Sequence, residues 1–132
     1  MRSAEDAVGR DPGPVCALGR DLWFRRDIDG SYVIGLTEAA QHRMGPIAYY
    51  RGPVAGRRYG AMEPALSLES AKWVGHLSLP ASGTVVDTNG ALETDPSPIN
   101  RDPYGDGWLY RMRPEDPGAL EARGRRERTG RG

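Results

Sequence analysis

Three residue types are nearly missing from this chain of 132 residues, which has one cysteine, one phenylalanine and one lysine. A single cysteine, Cys16, excludes an internal disulfide framework and suits a reducing compartment, so we expect a cytoplasmic protein. The lysine count is unusual because 18 residues are Lys or Arg and all of them except Lys72 are arginine. Lys72 is therefore the only side chain in the protein that carries a primary amine.

Long apolar runs and a strong net charge are also missing. The apolar stretches span only a few residues, against the roughly 20 that a membrane-spanning helix needs, and residues 1–15 contain no apolar core of a signal peptide. Eighteen acidic residues balance the 18 basic ones, and no basic stripe is interleaved with aromatic residues. These absences predict a protein that binds neither membranes nor nucleic acid.

Residue patterns typical of catalysis are missing as well. The two histidines, His42 and His76, have no neighbours at metal-ligand spacing. There is no glycine-rich phosphate loop and no Ser/His/Asp or Cys/His pattern. We therefore predict that the protein is not an enzyme.

The chain does contain a series of short β-prone stretches between turn signals. Asp29-Gly30, Asn89-Gly90 and Asp106-Gly107 favour tight turns, because these residue types tolerate positive φ. Short strands separated by frequent turns indicate a mainly β fold, a small sandwich or barrel. The predicted strands are residues 22–24, 31–36, 46–50, 65–68, 73–79, 84–86 and 108–112.

Two short helices are predicted among these strands. The first covers residues 37–44, where Thr37 can cap the helix and Gly45-Pro46 ends it. The second begins near Pro117 and runs through residue 122.

Both ends of the chain look different from its middle. Residues 1–18 are polar and carry glycine and proline, which predicts a flexible N-terminal arm. Residues 124–132 are charged and lack apolar periodicity, which predicts a disordered tail. A single domain is expected at residues 19–123.

The lone lysine lies where apolar character falls away between two predicted strands. Residues 69–72 interrupt the apolar pattern, as the tip of a β-hairpin does, and this places Lys72 on a rigid support in solvent. A lysine amine can be acylated, whereas a guanidinium stays charged and inert. One lysine retained at a hairpin tip suggests covalent modification, and the ordinary alternative is a turn residue that only aids solubility.

Three sequence motifs resemble those of one known family. Residues 69–92, ESAKWVGHLSLPASGTVVDTNGAL, resemble the lipoyl-lysine region of glycine cleavage H proteins. Residues 100–109, NRDPYGDGWL, and residues 35–41, GLTEAAQ, followed by Gly45, resemble two further motifs of that family. Because the three occur in register, the chain resembles the family over roughly residues 20 to 122.

This resemblance implies a lipoyl-type barrel-sandwich hybrid of two antiparallel sheets with one or two short helices. It implies a carrier protein with lipoic acid joined to Lys72 by an amide, in which the cofactor carries the chemistry. Glu69, Ser70, Ala71 and Trp73 would be recognised by the attaching enzyme or would simply form the turn. The implied partners are a lipoate–protein ligase or lipoyl-transfer enzymes and dihydrolipoyl dehydrogenase, and we expect a monomer.

Several positions depart from the family pattern. Leu22 and His76 stand where the family has carboxylates that suit an aminomethyl ammonium in the arm cleft, and Asp21, one position off, is a partial substitute. Trp73 replaces a small residue, and Arg51, Arg57 and Arg58 add positive charge.

With these departures the chain resembles the lipoate-binding proteins that accompany heterodisulfide-reductase-like complexes in sulfur oxidation. The first prediction is therefore a carrier of sulfur species that serves a heterodisulfide-reductase-like complex. The alternative is a glycine cleavage H protein that carries the aminomethyl group between glycine decarboxylase and aminomethyltransferase.

Two other classes of protein share the expected architecture. A biotin carrier also attaches its cofactor to a hairpin lysine, but it usually flanks that lysine with methionines, where this chain has Ala71 and Trp73. An unmodified binding module would keep the barrel as an interaction surface only. Cys16, in the predicted arm, is expected to be a bystander thiol rather than a partner of the dithiolane.

Overall fold

The computed structural model describes residues 13–126, which form ten strands and four short helices. The strands are β1 (Cys16–Leu18), β2 (Leu22–Arg26), β3 (Tyr32–Leu36), β4 (Ile47–Arg51), β5 (Arg58–Tyr59), β6 (Leu66–Ser70), β7 (Trp73–Leu77), β8 (Gly83–Thr88), β9 (Tyr110–Pro114) and β10 (Arg125–Arg126). The helices are α1 (Glu38–Met44), α2 (Ala91–Thr94), α3 (Pro98–Arg101) and α4 (Pro117–Ala122).

The strands form two antiparallel sheets. The larger sheet has the order β10-β1-β2-β3-β9-β8-β5, and the smaller has the order β4-β6-β7. One apolar cluster joins them, with Ile34 and Leu36 from the larger sheet and Tyr50 and Leu68 from the smaller. Full burial of each such side chain contributes about 2 kcal/mol. The predicted mainly β fold of two antiparallel sheets with short helices is confirmed.

The strand β2 packs on its neighbour through an unusually close contact. Trp23 is fully buried, and a Cβ built on Gly35 would lie 2.4 Å from its indole ring. Position 35 therefore has to be glycine. The indole N–H donates to the carbonyl of Pro103 at 3.1 Å, which ties β2 to the loop before β9.

Helix α1 forms as its sequence predicts. The Thr37 hydroxyl accepts a hydrogen bond from the backbone N–H of Ala40 at 3.1 Å, and Gly45 ends the helix at a φ of 80°. Ala40 and Met44 are fully buried, so one face of the helix packs on the core. At seven residues α1 is the longest described helix, and none of the described helices is long and apolar enough to cross a membrane.

The predicted boundaries of the two ends need correction. Residues 16–18, assigned to the flexible arm, form β1, and residues 125–126, assigned to the disordered tail, form β10. The two strands pair with each other, Cys16 with Arg126 and Ala17 with Arg125, so each end orders the other. Residues 1–12 and 127–132 of these predictions lie outside the described part of the chain.

One predicted turn also differs from the structure. Gly90 has a φ of −62° and precedes α2, so Asn89-Gly90 begins a short helix rather than a turn with positive φ. The Asn89 amide instead donates to the carbonyls of Asp106 and Trp108, at 3.0 and 2.8 Å. The hydrogen bonds of this asparagine to a distant loop thus replace the local turn.

Candidate functional site

The lone lysine lies in the loop of the β6–β7 hairpin. The last paired residues are Ser70 and Trp73, which leaves Ala71 and Lys72 as a two-residue loop, and both are exposed. The predicted hairpin tip is therefore confirmed. A lysine in such a loop is held by two strands of five residues each and is accessible to another protein's active site.

This loop lacks the residues that usually close a two-residue hairpin. Such loops favour turns with positive φ and residues such as glycine or asparagine. Met62 is the only described non-glycine residue with a positive φ, so neither Ala71 nor Lys72 adopts that conformation. The loop geometry is therefore not supplied by its own two residues.

The support comes from the end of helix α1. The Ser70 hydroxyl donates to the carbonyl of Met44, and its oxygen lies 3.4 Å from the backbone N–H of Lys72. It accepts from that N–H while it donates to the helix. Ser70, predicted to serve ligase recognition or the turn, thus has a clear part in the turn.

Asn100 fixes the same end of α1 from the other side. Its amide donates to the Gln41 side chain at 3.0 Å and to the carbonyl of Gly45 at 3.1 Å, and its oxygen accepts from the N–H of Ile47 at 2.8 Å. Together these contacts hold the connection between α1 and β4. We call Gln41, Met44, Gly45 and Asn100 the platform.

The lysine side chain crosses the platform at its glycine. A Cβ built on Gly45 would lie 3.2 Å from Cε of Lys72 and 3.9 Å from its Cγ. The aliphatic stem therefore lies against the backbone of residue 45, where a side chain would crowd it. Gln41, Gly45 and Asn100 belong to the family motifs in the sequence, but the motifs do not show that these residues meet beneath Lys72.

Trp73 lies on the inner side of the hairpin. Its indole ring packs along β7 over Gly75, where a Cβ would approach within 3.0 Å, and it contacts the edge of the core. The absence of a side chain at Gly75 gives the ring this place. Trp73 therefore packs at the edge of the core, next to the lysine in the chain.

Three other predicted site residues, Glu69, Ala71 and His76, lie exposed on the outside of the hairpin. Glu69 pairs with Val74 and Ser67 with His76, and these pairs alternate with the buried pairs of the hairpin. Glu69, Ala71 and His76 are exposed, and the Val74 residue is 71% exposed. This outer surface is accessible to a partner that approaches the lysine.

Leu22 is not part of that surface. It is 4% exposed and belongs to the core of the larger sheet, whereas His76 lies on the outer face of the smaller sheet. The structure therefore does not bring the two predicted cleft residues onto a common surface. Asp21, considered a partial substitute for a missing carboxylate, forms an ion pair with Arg43 of α1.

Arg51 at the end of β4, Arg57, and Arg58 in β5 have acidic or phenolic partners. Arg57 contacts Glu63 at 2.6 Å, and Arg58 contacts Glu115 through two hydrogen bonds of 2.5 and 3.1 Å. Hydrogen bonding with Tyr49 raises the pKa of Arg51. The positive charges of Arg57 and Arg58 are thus offset by carboxylates within the chain, which weakens the prediction of a positive surface.

Cys16 lies in the other sheet from the lysine, on β1. Burial raises the pKa of its thiol, with the carboxylate of Glu121 acting in the same direction and Arg126 against it. It lines a cavity of about 230 Å³ with Phe24 and Arg26. A raised pKa lowers the thiolate fraction, which fits the predicted bystander thiol.

Comparisons with known proteins agree on one family. Residues 17–127 match the family model described as glycine cleavage H-protein. The chain is 38% identical over 99 residues to the glycine cleavage system H protein of Alkalilimnicola ehrlichii, covering 75% of this chain and 76% of the relative. For the same protein of a Psychrobacter species, the identity is 38% over 111 residues, 84% of this chain and 88% of the relative.

A solved structure agrees as well. The crystal structure of a glycine cleavage system H protein from Mycobacterium marinum matches with a TM-score of 0.71 and 33% sequence identity. The match covers 78% of this chain and 85% of that chain.

Proposed function

Because the chain belongs to the glycine cleavage H-protein family, we propose that it carries lipoate on Lys72 and transfers a bound intermediate between enzymes. Members of this family are lipoyl carriers rather than catalysts, and their lipoate is joined covalently to a lysine. Lys72 is the single lysine of the chain and lies exposed in a two-residue loop. That observation supports the assignment most directly.

The residues around Lys72 fit a lipoyl group. The side chain reaches solvent from a rigid hairpin, and the loop leaves room for an activating enzyme. Lys72 would hold the group: its Nζ, as the neutral amine, would be the nucleophile that forms an amide with the activated carboxyl of lipoate and would release one proton as the activating group leaves. Once attached, lipoate supplies a dithiolane that exchanges with thiols.

For the cargo we propose the aminomethyl group of the glycine cleavage system, passed from glycine decarboxylase to aminomethyltransferase. This cargo is the alternative prediction from the sequence, and it is supported by the relatives and the solved structure, which are all glycine cleavage system H proteins. They give no support to the first prediction, a sulfur cargo. The cytoplasmic location stays a prediction.

One structural observation keeps the sulfur cargo as a second candidate. His76, exposed on the hairpin of the lysine, stands where the family has a carboxylate, and the alternative carboxylate, Asp21, is already paired with Arg43. An aminomethyl ammonium would therefore find fewer acidic partners around this lysine than the family pattern provides.

Intact-mass measurement tests the attachment. We expect the mass of lipoate added by a lipoate–protein ligase to the wild-type protein, and no added mass on Lys72→Arg, which keeps the charge but cannot be acylated. Mass equal to biotin would point to a biotin carrier. An unmodified wild-type protein in the presence of ligase, ATP and lipoate would contradict the proposal.

Glycine–bicarbonate exchange with glycine decarboxylase tests the cargo. The lipoylated protein with its dithiolane in the disulfide form is expected to support exchange, because the S–S bond takes up the electrons as the C–S bond forms, and His76→Asp is expected to raise the rate by adding a carboxylate near the arm. Val74→Asp, on the same outer face, is the matched control for the added charge. A lipoylated wild-type protein that supports no exchange would exclude the aminomethyl cargo and favour the sulfur candidate.

A further inference from the structure

The attachment loop depends on contacts from outside the hairpin. Its two residues lack the glycine or asparagine that closes such loops. In the structure the loop instead rests on α1 through Ser70 and Met44, and α1 is in turn fixed by Asn100. The location of the lysine amine is therefore set by residues distant in the chain.

We propose that Gly45, Ser70 and Asn100 are positioning residues for the acylation of Lys72. The inference rests on the proposed function, because it concerns how the lysine is presented to the attaching enzyme. None of the three touches the reacting atoms. They act through the loop and through the stem of Lys72.

Gly45 leaves space for the aliphatic part of the Lys72 side chain. Carbon atoms pack best at about 3.5–4.0 Å, so a methyl group at position 45, only 3.2 Å from Cε, would push the stem aside. A free lysine side chain loses rotamer entropy when an enzyme immobilises it. A stem already resting on Gly45 enters the active site with part of that cost removed, which favours the reacting geometry.

Ser70 and Asn100 hold Gly45 beneath the side chain of Lys72. The Ser70 hydroxyl bridges the Met44 carbonyl and the Lys72 N–H, so its loss frees the loop from α1. Asn100 binds the Gly45 carbonyl and the Ile47 N–H, so its loss frees the end of α1. Both changes leave the outer face of the hairpin, with Glu69, available to the attaching enzyme.

Gly45→Ala and a matched control test whether the space at Gly45 orients the Lys72 side chain. Gly56 has a similar φ of +89°, but a Cβ there meets nothing within 4 Å, so Gly56→Ala also places an alanine at positive φ but makes no contact with Lys72. With lipoate–protein ligase, ATP and lipoate, we expect kcat for the Gly45→Ala protein to fall about tenfold, with KM little changed, as loss of orientation predicts. Gly56→Ala should match wild type. Equal rates for the two variants would overturn the proposal.

Ser70 provides a second test if Gly45→Ala does not fold. Ser70→Ala should lower kcat by about fivefold to tenfold through the lost orientation, and Ser70→Thr, which keeps the hydroxyl, should restore it. Loss of activity in both, or in neither, would overturn the positioning role. Because every comparison is made with a wild-type protein that is modified, failure of these tests is distinct from failure of Lys72 to be lipoylated at all.

Discussion

The β2–β3 hairpin and the β6–β7 hairpin close through turns that are stabilised in opposite ways. Between β2 and β3 the turn contains Gly30 at a φ of +87°, and Asp29 accepts hydrogen bonds from the N–H and hydroxyl of Ser31 at 2.9 and 2.6 Å. Its residues are suited to a turn by themselves. We call this the local turn.

The turn at Ala71-Lys72 has no such residues, and a serine, a helix end and a distant asparagine hold it. The comparison shows that a loop which keeps a residue for its function can lack turn-forming residues of its own. A loop that must present a lysine cannot give that position to glycine or asparagine, so the stabilising groups lie elsewhere in the fold.

Removing Asn100 should produce the largest difference between the two turns. Asn100→Ala leaves the Ile47 N–H and the Gly45 carbonyl without their partner, and we expect a loss of about 3 kcal/mol in the free energy of unfolding. It should also slow lipoylation. Asn89→Ala, which removes two hydrogen bonds to another loop, is the control. Urea denaturation and ligase rates measure both effects, and equal slowing in the two variants would break the comparison.

Alkaline pH tests the burial of three tyrosines, of which Tyr32 directly follows the local turn. Burial, with a hydrogen bond to Glu121, raises the pKa of Tyr32 from 10.0 to about 12, and burial also raises the pKa of Tyr50 and Tyr110. Because these pKa values are higher in the folded protein, the stabilisation is complete below pH 10 and is lost as the pH rises towards 12. Urea midpoints should fall above pH 10, and less so in Tyr32→Phe. A midpoint that stays constant to pH 11.5 would contradict the raised pKa values.

Asp29→Ala should affect stability alone. It removes both hydrogen bonds to Ser31, and we expect a loss of about 1 kcal/mol in the free energy of unfolding. The lipoylation rate should equal that of wild type, since the local turn lies away from the platform. Thermal denaturation and the ligase assay measure the two quantities. Slower lipoylation of this variant would show that the rate follows general stability rather than the platform.

A glycine in the attachment loop should give the smallest of these effects, and it tests directly whether the loop depends on Ser70. Glycine at the first loop position favours a type II′ turn, so Ala71→Gly should make the loop less dependent on Ser70. In a double-mutant cycle, Ser70→Ala should then cost less in the Ala71→Gly background by about 0.5 kcal/mol. Strict additivity of the two changes in urea denaturation would mean that the loop does not draw its support from Ser70.

The elements that sequence reasoning predicted are those with strong local patterns. Helix α1 has a capping threonine and a terminating glycine, and β3 and the β6–β7 hairpin have clear apolar stretches. The strands β1, β5 and β10 were missed because each has only two or three residues and forms only through pairing with distant strands. Such short segments have too little local pattern to be recognised.

The candidate site also contains residues that the sequence predicts and residues that it does not. Lys72 could be found because an amine is a chemical property of one residue and its flanking motif is local. The platform could not, since Asn100 is 55 positions from Gly45 along the chain. The burial of Leu22 could not be predicted either, because the sequence shows its neighbours in the chain but not that it faces the core.

The sequence by itself determined the chemical capacity of this protein: one acylatable amine, a β-rich fold and a helix that ends at Gly45. These follow from residue type and local spacing, which act over a few positions. Only the tertiary structure decided how the amine is held at the hairpin tip, because its loop has no turn residues and depends on hydrogen bonds from α1. Contacts between residues far apart in the chain form only when the sheets pack, and they bring Ser70, Gly45 and Asn100 together beneath Lys72.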